Sequence, residues 1–178
     1  MQITLFTDEK TNTRSVMKAS ISLVVAAMLL TAVLAVPAAA QKQVPFKGTM
    51  QGHDVDSPGP SEGTIVVTTT GTGMGTHLGD FSFTQVVTVT IADLTDTGSA
   101  HWVAANGDSI DTTLAGSAEL AATPGILIIT EVHTVTGGTG RFASAQGSFV
   151  VERLASAVTF LTSGSFHGTI TSPGAAKH

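Results

Sequence analysis

The chain has 178 residues, a formal net charge of −5, a charged fraction of 12% and no cysteine. This length fits one domain better than two, and the few basic residues make nucleic acid an unexpected partner. The absence of cysteine excludes disulfides, thiolate catalysis and cysteine-ligated zinc or iron–sulfur sites. The 19 glycines and the many threonines favour a turn-rich β protein.

The first forty residues have the pattern of an export signal. Arg14 and Lys18 precede an apolar run over residues 21–36, and Ala38-Ala39-Ala40 follows it. The run is shorter than the ~20 residues that a membrane-spanning helix needs, and it ends in small residues suited to a signal peptidase. We therefore predict a signal-peptide helix cleaved after Ala40, a secreted or periplasmic location, and no membrane contact after cleavage. An uncleaved N-terminal anchor is the alternative.

Met17-Lys-Ala-Ser is a second possible translation start, and it would begin a more ordinary signal peptide. Residues 1–16 would then be a start-site artefact, and we base no prediction of the fold on them. Removal of residues 1–40 leaves 5 of the 8 basic and 11 of the 13 acidic residues, a net charge of −6. We predict that residues 41–178 form a single acidic domain.

The predicted mature chain shows the period-2 alternation of β-strands throughout. The alternation predicts eight strands, with a loop over residues 54–60 after the first. They lie near residues 44–53, 63–70, 76–91, 98–105, 108–118, 125–136, 141–153 and 158–171. Asn106-Gly107 is typical of a type I′ hairpin turn. Short links predict antiparallel neighbours, and such strands hide their edges best in a closed, calycin-like up-and-down barrel, with a β-sandwich as the alternative.

The alternation also predicts which side chains face the barrel interior. The outer face of the sixth strand carries Thr130, Thr134 and Thr136. Its inner face then carries Leu127, Ile129, Glu131, His133 and Val135. In the other strands the inner face carries His77, Phe81, Phe83, Gln85, Val87, Val89, Ile91, Phe149, Val151, Arg153, Phe160, Phe166 and Ile170. The predicted polar groups of the interior are His77, Gln85, Glu131, His133 and Arg153.

A glycine-rich hairpin follows the sixth strand. We expect Gly137, Gly138 and Gly140 to turn the chain through positive φ, Phe142 to cap the core, and Gly147 to permit a close backbone approach. No Lys-Ser/Thr pair follows these glycines, which argues against a phosphate loop.

The string Gly137-Gly-Thr-Gly-Arg-Phe-Ala-Ser-Ala-Gln-Gly147 resembles the hairpin pattern of dirigent and allene oxide cyclase-like barrels. Residues 76–79 and 105–108 further resemble small secreted bacterial proteins of that barrel type, and the resemblance spans residues 45–171. It implies an eight-stranded barrel with a central cavity. It also implies chemistry that steers or cyclises reactive hydrophobic intermediates without a metal or organic cofactor, in trimers or dimers. In the bacterial pattern a glutamate also stands at the place of Glu131.

Glu131 is the candidate catalytic residue, because an interior carboxylate can act as a general acid or base. The alternative is a structural ion pair with Arg153, Arg141 or His133. The candidate ligand-binding residues are His77, Gln85, Trp102, His133 and Arg153, with core packing as the alternative for Trp102. His77, His133 and Glu131 would form a zinc site only if the strands brought them together, and we expect neither a metal nor another cofactor.

Three function classes are compatible with the sequence. The first is a secreted barrel that binds a small apolar molecule or serves as a structural module. The second is a cofactor-free isomerase or cyclase that uses Glu131. The third is an exported surface or interaction protein whose threonine-rich outer face pairs with a partner or with itself as a homo-oligomer. A ligand-sized cavity would favour the first two classes, and a barrel filled by side chains would favour the third.

Overall fold

We analysed a computed structural model of the protein, which describes residues 42–171 and 173–174. Eight antiparallel strands pair in sequence order and close into a barrel, because β8 pairs back onto β1. The strands are β1 (Gln43–Pro58), β2 (Thr64–Gly75), β3 (Gly79–Thr90), β4 (Thr95–Ala104), β5 (Ser109–Leu120), β6 (Ile126–Gly138), β7 (Gly147–Ser156) and β8 (Leu161–Thr171). No helix in these ranges could cross a membrane. The predicted signal-peptide helix lies outside the described residues.

The predicted all-β, eight-stranded antiparallel barrel is confirmed, and the sandwich alternative is wrong. The largest differences concern the ends of the strands. Residues 54–58 continue β1, because their backbone pairs with residues 65–69 of β2. β7 begins at Gly147, because the residues before it form the glycine-rich connection, with a short 3-10 helix over Gly140–Phe142.

The Asn106-Gly107 turn differs from the predicted type I′ turn. Only Gly107 has a positive φ, 85°. Its N–H donates to the carbonyl of Ala104 at 2.8 Å, and the N–H of Ala104 donates to the carbonyl of Asp108 at 2.9 Å. A type I turn closed by a left-handed glycine suits this longer connection, whereas a type I′ turn needs a two-residue loop.

The glycine-rich connection also departs from expectation. Gly140 and Gly147 have positive φ values of 55° and 136°, whereas Gly137 and Gly138 keep the extended backbone of β6. Gly138 is needed for space: a β-carbon there would overlap the carbonyl oxygen of Ser109 and come within 3.0 Å of the β-carbon of Phe142. Phe142 is fully buried and caps the core, as predicted.

Aromatic side chains fill one half of the barrel, next to the β2–β3, β4–β5 and β6–β7 connections. We call this half the aromatic end. The indole of Trp102 stacks on Phe83 with ring centroids 5.3 Å apart. The neighbouring buried rings are Phe46, Phe81, Phe142, Phe149 and Phe166. Offset and edge-on ring contacts of this kind stabilise a core beyond area burial alone. Trp102 therefore belongs to the core, in agreement with the core-packing alternative stated for this residue.

Three residues predicted to face inward do not. His77 is exposed in the β2–β3 turn with a φ of 66°, because β3, the strand predicted to contain it, begins only at Gly79. Ile91 follows the last residue of β3 and is 53% exposed. Phe160 lies in the β7–β8 turn with a φ of 58° and is 40% exposed. Each side chain lies beyond the end of its strand, where the two-face rule no longer applies.

Candidate functional site

The second half of the barrel contains a buried polar cluster. Inward positions of β1, β3, β6 and β7 contribute Asp54, Gln85, Glu131 and Arg153, all of them buried. Glycines on the neighbouring strands make room for the side chains of Glu131 and Arg153. Gly116 pairs with Glu131 across β5 and β6, and a β-carbon at Gly116 would come within 2.8 Å of the Cγ atom of Glu131. The glycines of this barrel thus admit charged side chains that a fully packed interior would exclude.

Both carboxylate oxygens of Glu131 accept hydrogen bonds. Arg153 donates from Nε to Oε2 and from Nη2 to Oε1, each at 3.1 Å. Gln85 donates from Nε2 to Oε1 at 2.6 Å. A bidentate guanidinium–carboxylate pair of this kind is among the strongest side-chain contacts in proteins. Glu131 is therefore fully engaged by its neighbours.

Arg153 is engaged at all three of its nitrogen atoms. Nη1 donates to the hydroxyl of Thr162 at 3.1 Å and lies 3.6 Å from Oδ2 of Asp54. The other oxygen of Asp54 accepts a hydrogen bond from the hydroxyl of Thr69 at 2.6 Å. Burial disfavours the charged guanidinium, but the charge and hydrogen bonds of Glu131 and the charges of Asp54 and Asp96 outweigh burial and raise the pKa of Arg153.

The same half of the barrel also contains a cavity of about 160 Å³, next to the polar cluster. We call this half the cavity end; it lies next to the β3–β4 and β7–β8 turns. Most of the cavity wall is aliphatic. Its main apolar side chains are Ile65, Val67, Val87, Val89, Leu127 and Ile129, and its charged side chains are Asp54, Asp56, Asp96 and Arg153. The cavity thus combines apolar walls with a few charged groups, the usual composition of a small-molecule site.

Asp96 stands apart from the ion-pair network. It lies on the inner face of β4 and is 6% exposed, and its buried Oδ1 atom has no hydrogen-bond partner in the described part of the chain. Burial, together with the negative charge of Glu131, raises the pKa of Asp96 to about 6, against a smaller opposite effect of Arg153. Burial and the charge of Asp54 likewise raise the pKa of Asp56 at the rim. Asp96 is the cavity-lining carboxylate that can exchange a proton near neutral pH.

Two matching turns border the cavity. The N–H of Leu94 donates to the carbonyl of Thr90 at 2.9 Å, and the N–H of Phe160 donates to the carbonyl of Ser156 at 2.8 Å. Leu94 and Phe160 have left-handed φ values of 55° and 58°, which are rare for bulky residues, and both line the cavity. Such backbone strain persists where the surrounding structure enforces it and is often found at ligand sites.

His133 is buried on the aromatic side of the cluster and does not line the cavity. Its Nδ1 atom is 3.0 Å from the hydroxyl of Thr112, and its ring stacks on Phe149 with centroids 4.9 Å apart. Burial and the positive charge of Arg153 lower the pKa of His133 to about 3, so the imidazole is neutral at physiological pH.

The predicted polar interior is thus divided. The structure brings Gln85, Glu131 and Arg153 into direct contact, places His133 beside them in the aromatic core, and leaves His77 outside. His77 therefore cannot join His133 and Glu131 in a zinc site. Residues 42–171 contain no group of three or more His, Asp or Glu side chains placed to hold a metal ion.

Two acidic residues of the site were missed by sequence reasoning. Asp54 was assigned to a loop, and Asp96 preceded the predicted start of the fourth strand. The signal was present in both cases. The small and apolar residues at Met50 and Gly52 extend in steps of two to Asp54, and those at Ala100 and Gly98 extend to Asp96. Strands are depleted in aspartate, so an aspartate in a polar, turn-like stretch makes the end of a strand difficult to predict from the sequence.

Comparison with known proteins supports the fold. No protein-family model matches the chain, and no curated protein matches its sequence. Among solved structures, the chain is similar to the pterocarpan synthase dirigent protein GePTS1, with a TM-score of 0.55 and 11% sequence identity. The match covers 73% of this chain and 88% of that protein. The barrel is therefore dirigent-like in fold.

Proposed function

We propose that this barrel binds a small molecule about the size of one six-membered ring in the cavity at its cavity end. One observation carries the proposal: an aliphatic cavity of about 160 Å³ is lined by Asp96, a buried carboxylate whose Oδ1 atom no group in the described chain satisfies. Buried polar atoms are almost always hydrogen-bonded, so a partner for Asp96 is expected in the cavity.

The size of the cavity limits the ligand. An engineered cavity of about 150 Å³ lined by aliphatic and aromatic residues binds benzene, so about 160 Å³ accommodates one ring with a short substituent. Contact with Val67, Val89 and Ile129 would favour an apolar body by about 0.8 kcal/mol for each buried methylene group. The ligand we propose is therefore apolar over most of its surface, with one polar group directed at Asp96.

Export forms part of the same proposal. The basic residues, the apolar run over residues 21–36 and the small residues before Gln41 support a cleaved signal peptide. We infer that the barrel acts in a secreted or periplasmic location, where it meets its ligand outside the cytoplasm.

Titration with benzyl alcohol, followed by protein NMR and calorimetry, tests the binding proposal. We expect saturable one-to-one binding with shifts confined to the cavity end. Ala118→Phe should abolish binding, because residue 118 lines the cavity and a phenyl ring would fill it. Ala115→Phe is the matched control, since residue 115 is exposed on the outer face of the same strand. Equal binding by both variants would refute the proposal, and so would the absence of saturable binding by benzyl alcohol and by its charged analogues benzylamine and benzoate.

A second candidate function is a cofactor-free isomerase or cyclase. The pKa of about 6 for Asp96, at a cavity wall, suits a residue that takes and returns a proton near neutral pH. Glu131, the carboxylate expected to act from its sequence position, has both oxygens engaged by Arg153 and Gln85, so we assign this role to Asp96.

Mass spectrometry of small molecules from the native exported fraction, incubated with the protein, tests this second candidate. A compound that the wild type and Glu152→Gln convert, and Asp96→Asn does not, would support it. Glu152 is a suitable control because it is an exposed carboxylate on the outer face of β7. Equal conversion by Asp96→Asn would exclude Asp96 from catalysis.

A further inference from the structure

We infer that the cavity selects a small organic cation, an ammonium group on an apolar body, with the Asp96 carboxylate as its counter-ion. The inference rests on the proposed function, that the cavity binds a small molecule, and it adds the charge of that molecule.

The charges of the interior do not balance. Within the described ranges, three buried carboxylates, on Asp54, Asp96 and Glu131, accompany one buried guanidinium, on Arg153. Arg153 forms its hydrogen bonds with Glu131 and lies within ion-pair distance of Asp54. Asp96 makes no hydrogen bond through Oδ1 to any part of the chain that the structure describes. Because buried charges persist when they are paired, the unpaired carboxylate must either hold a proton or meet a cation.

The same arrangement disfavours an anionic ligand. Among the described residues, Arg153 is the only cationic side chain on the cavity wall, and its Nε, Nη1 and Nη2 atoms each donate to a protein oxygen. A carboxylate or phosphate in the cavity would face Asp54, Asp56 and Asp96, and the Nε–Nη2 edge of Arg153 is already occupied by Glu131. A cation instead adds the missing positive charge.

The cavity border also suits a cation. Asp54 and Asp56 line the cavity, and the backbone of Asp54 contacts the β7–β8 turn at Phe160. Their negative charge favours a cation at this border, and the aliphatic wall receives the apolar part of the ligand. An ammonium group beside Asp96 would thus be held by charge, and its body by apolar contact.

A neutral ligand is the competing possibility, because a protonated Asp96 could donate a hydrogen bond to an alcohol. Three probes of nearly equal shape separate the cases: benzylamine, which is a cation at pH 7.5, benzyl alcohol, which is neutral, and benzoate, which is an anion. Each is titrated into the protein at pH 7.5 by calorimetry, with NMR to locate binding.

We expect benzylamine to bind at least tenfold more tightly than benzyl alcohol, and benzoate to show no saturable binding. Asp96→Asn should reduce the preference for the amine to less than threefold. Glu152→Gln, which removes one carboxylate from the outer face, should keep the preference.

The failures are distinguishable. If none of the three probes binds the wild type, the proposed function fails and this inference fails with it. If benzyl alcohol binds as tightly as benzylamine, or if Asp96→Asn keeps the preference for the amine, the inference is overturned while the binding proposal stands. The comparison of probes on the wild type needs no variant, so it can refute the inference even if Asp96→Asn folds poorly.

Discussion

Glu131→Gln tests whether the buried ion pair stabilises the barrel. The substitution keeps the shape of the side chain and removes its charge. Glu131 accepts three hydrogen bonds, two from Arg153 at 3.1 Å and one from Gln85 at 2.6 Å. A glutamine has one acceptor oxygen, and its amide group would direct a donor at another donor, on Arg153 or on Gln85.

The expected cost follows from these contacts. Removal of one member of a buried ion pair costs about 3–5 kcal/mol, because the other charge is left buried and uncompensated. Arg153 keeps Asp54 at 3.6 Å and the hydroxyl of Thr162 at 3.1 Å, which offsets part of this cost. We therefore expect a loss near the lower limit, about 3 kcal/mol in the free energy of unfolding, or roughly 10 °C in Tm.

Denaturant unfolding monitored by circular dichroism measures this loss. Glu152→Gln provides the control, because it removes the same charge from the exposed outer face of the neighbouring strand and should change stability by less than about 0.5 kcal/mol. A loss below about 1 kcal/mol for Glu131→Gln would show that the guanidinium is satisfied without Glu131 and that the Glu131–Arg153 pair does not stabilise the barrel.

Three further predictions concern other parts of the chain. Burial and the charge of Glu131 raise the pKa of Asp96 from 3.8 to about 6, so the unfolded chain ionises first as the pH rises. Asp96 therefore lowers stability progressively between about pH 4 and pH 6, and by a constant amount above that. Asp96→Asn should therefore raise the free energy of unfolding by about 1–2 kcal/mol at pH 7.5 but not at pH 3.5; an equal effect at both pH values would contradict this. Gly138→Val should lower the denaturant midpoint by the equivalent of about 1–3 kcal/mol, because its side chain would overlap Ser109, whereas Ser144→Ala at an exposed site should change little; equal midpoints would exclude this steric constraint. N-terminal sequencing of the exported protein should begin at Gln41, and recovery of residues 21–36 in a membrane fraction would support the uncleaved anchor instead.

Alternation was sufficient to predict the barrel and the inner face of its central strands. Thr130, Thr134 and Thr136 occupy one face of β6, which leaves Glu131 and His133 on the other, and a strand has only two faces. The same rule failed at His77, Ile91 and Phe160, because each lies in a turn or just past a strand end. Pattern rules hold only while the backbone stays extended.

Contacts across the barrel were beyond reach of the sequence. Gln85 and Glu131 are 46 residues apart in the chain, and Arg153 was one of three possible partners for Glu131. Which of them meets Glu131 depends on strand register, and a shift by one residue would move each side chain to the other face. The roles of Asp54 and Asp96 likewise depend on how far β1 and β4 extend, which is decided by pairing with their neighbours.

The sequence by itself determined the strand number, the antiparallel order and the inward orientation of Glu131, because these depend on local alternation and short connections. The tertiary structure decided that Arg153 engages Glu131, that aromatic rings fill one half of the barrel, and that a cavity of about 160 Å³ with the unpaired Asp96 remains in the other half. Those features arise from closure. Only when β8 pairs with β1 do inward side chains from opposite strands share one interior, and the volumes of all eight strands together decide which part of it stays empty.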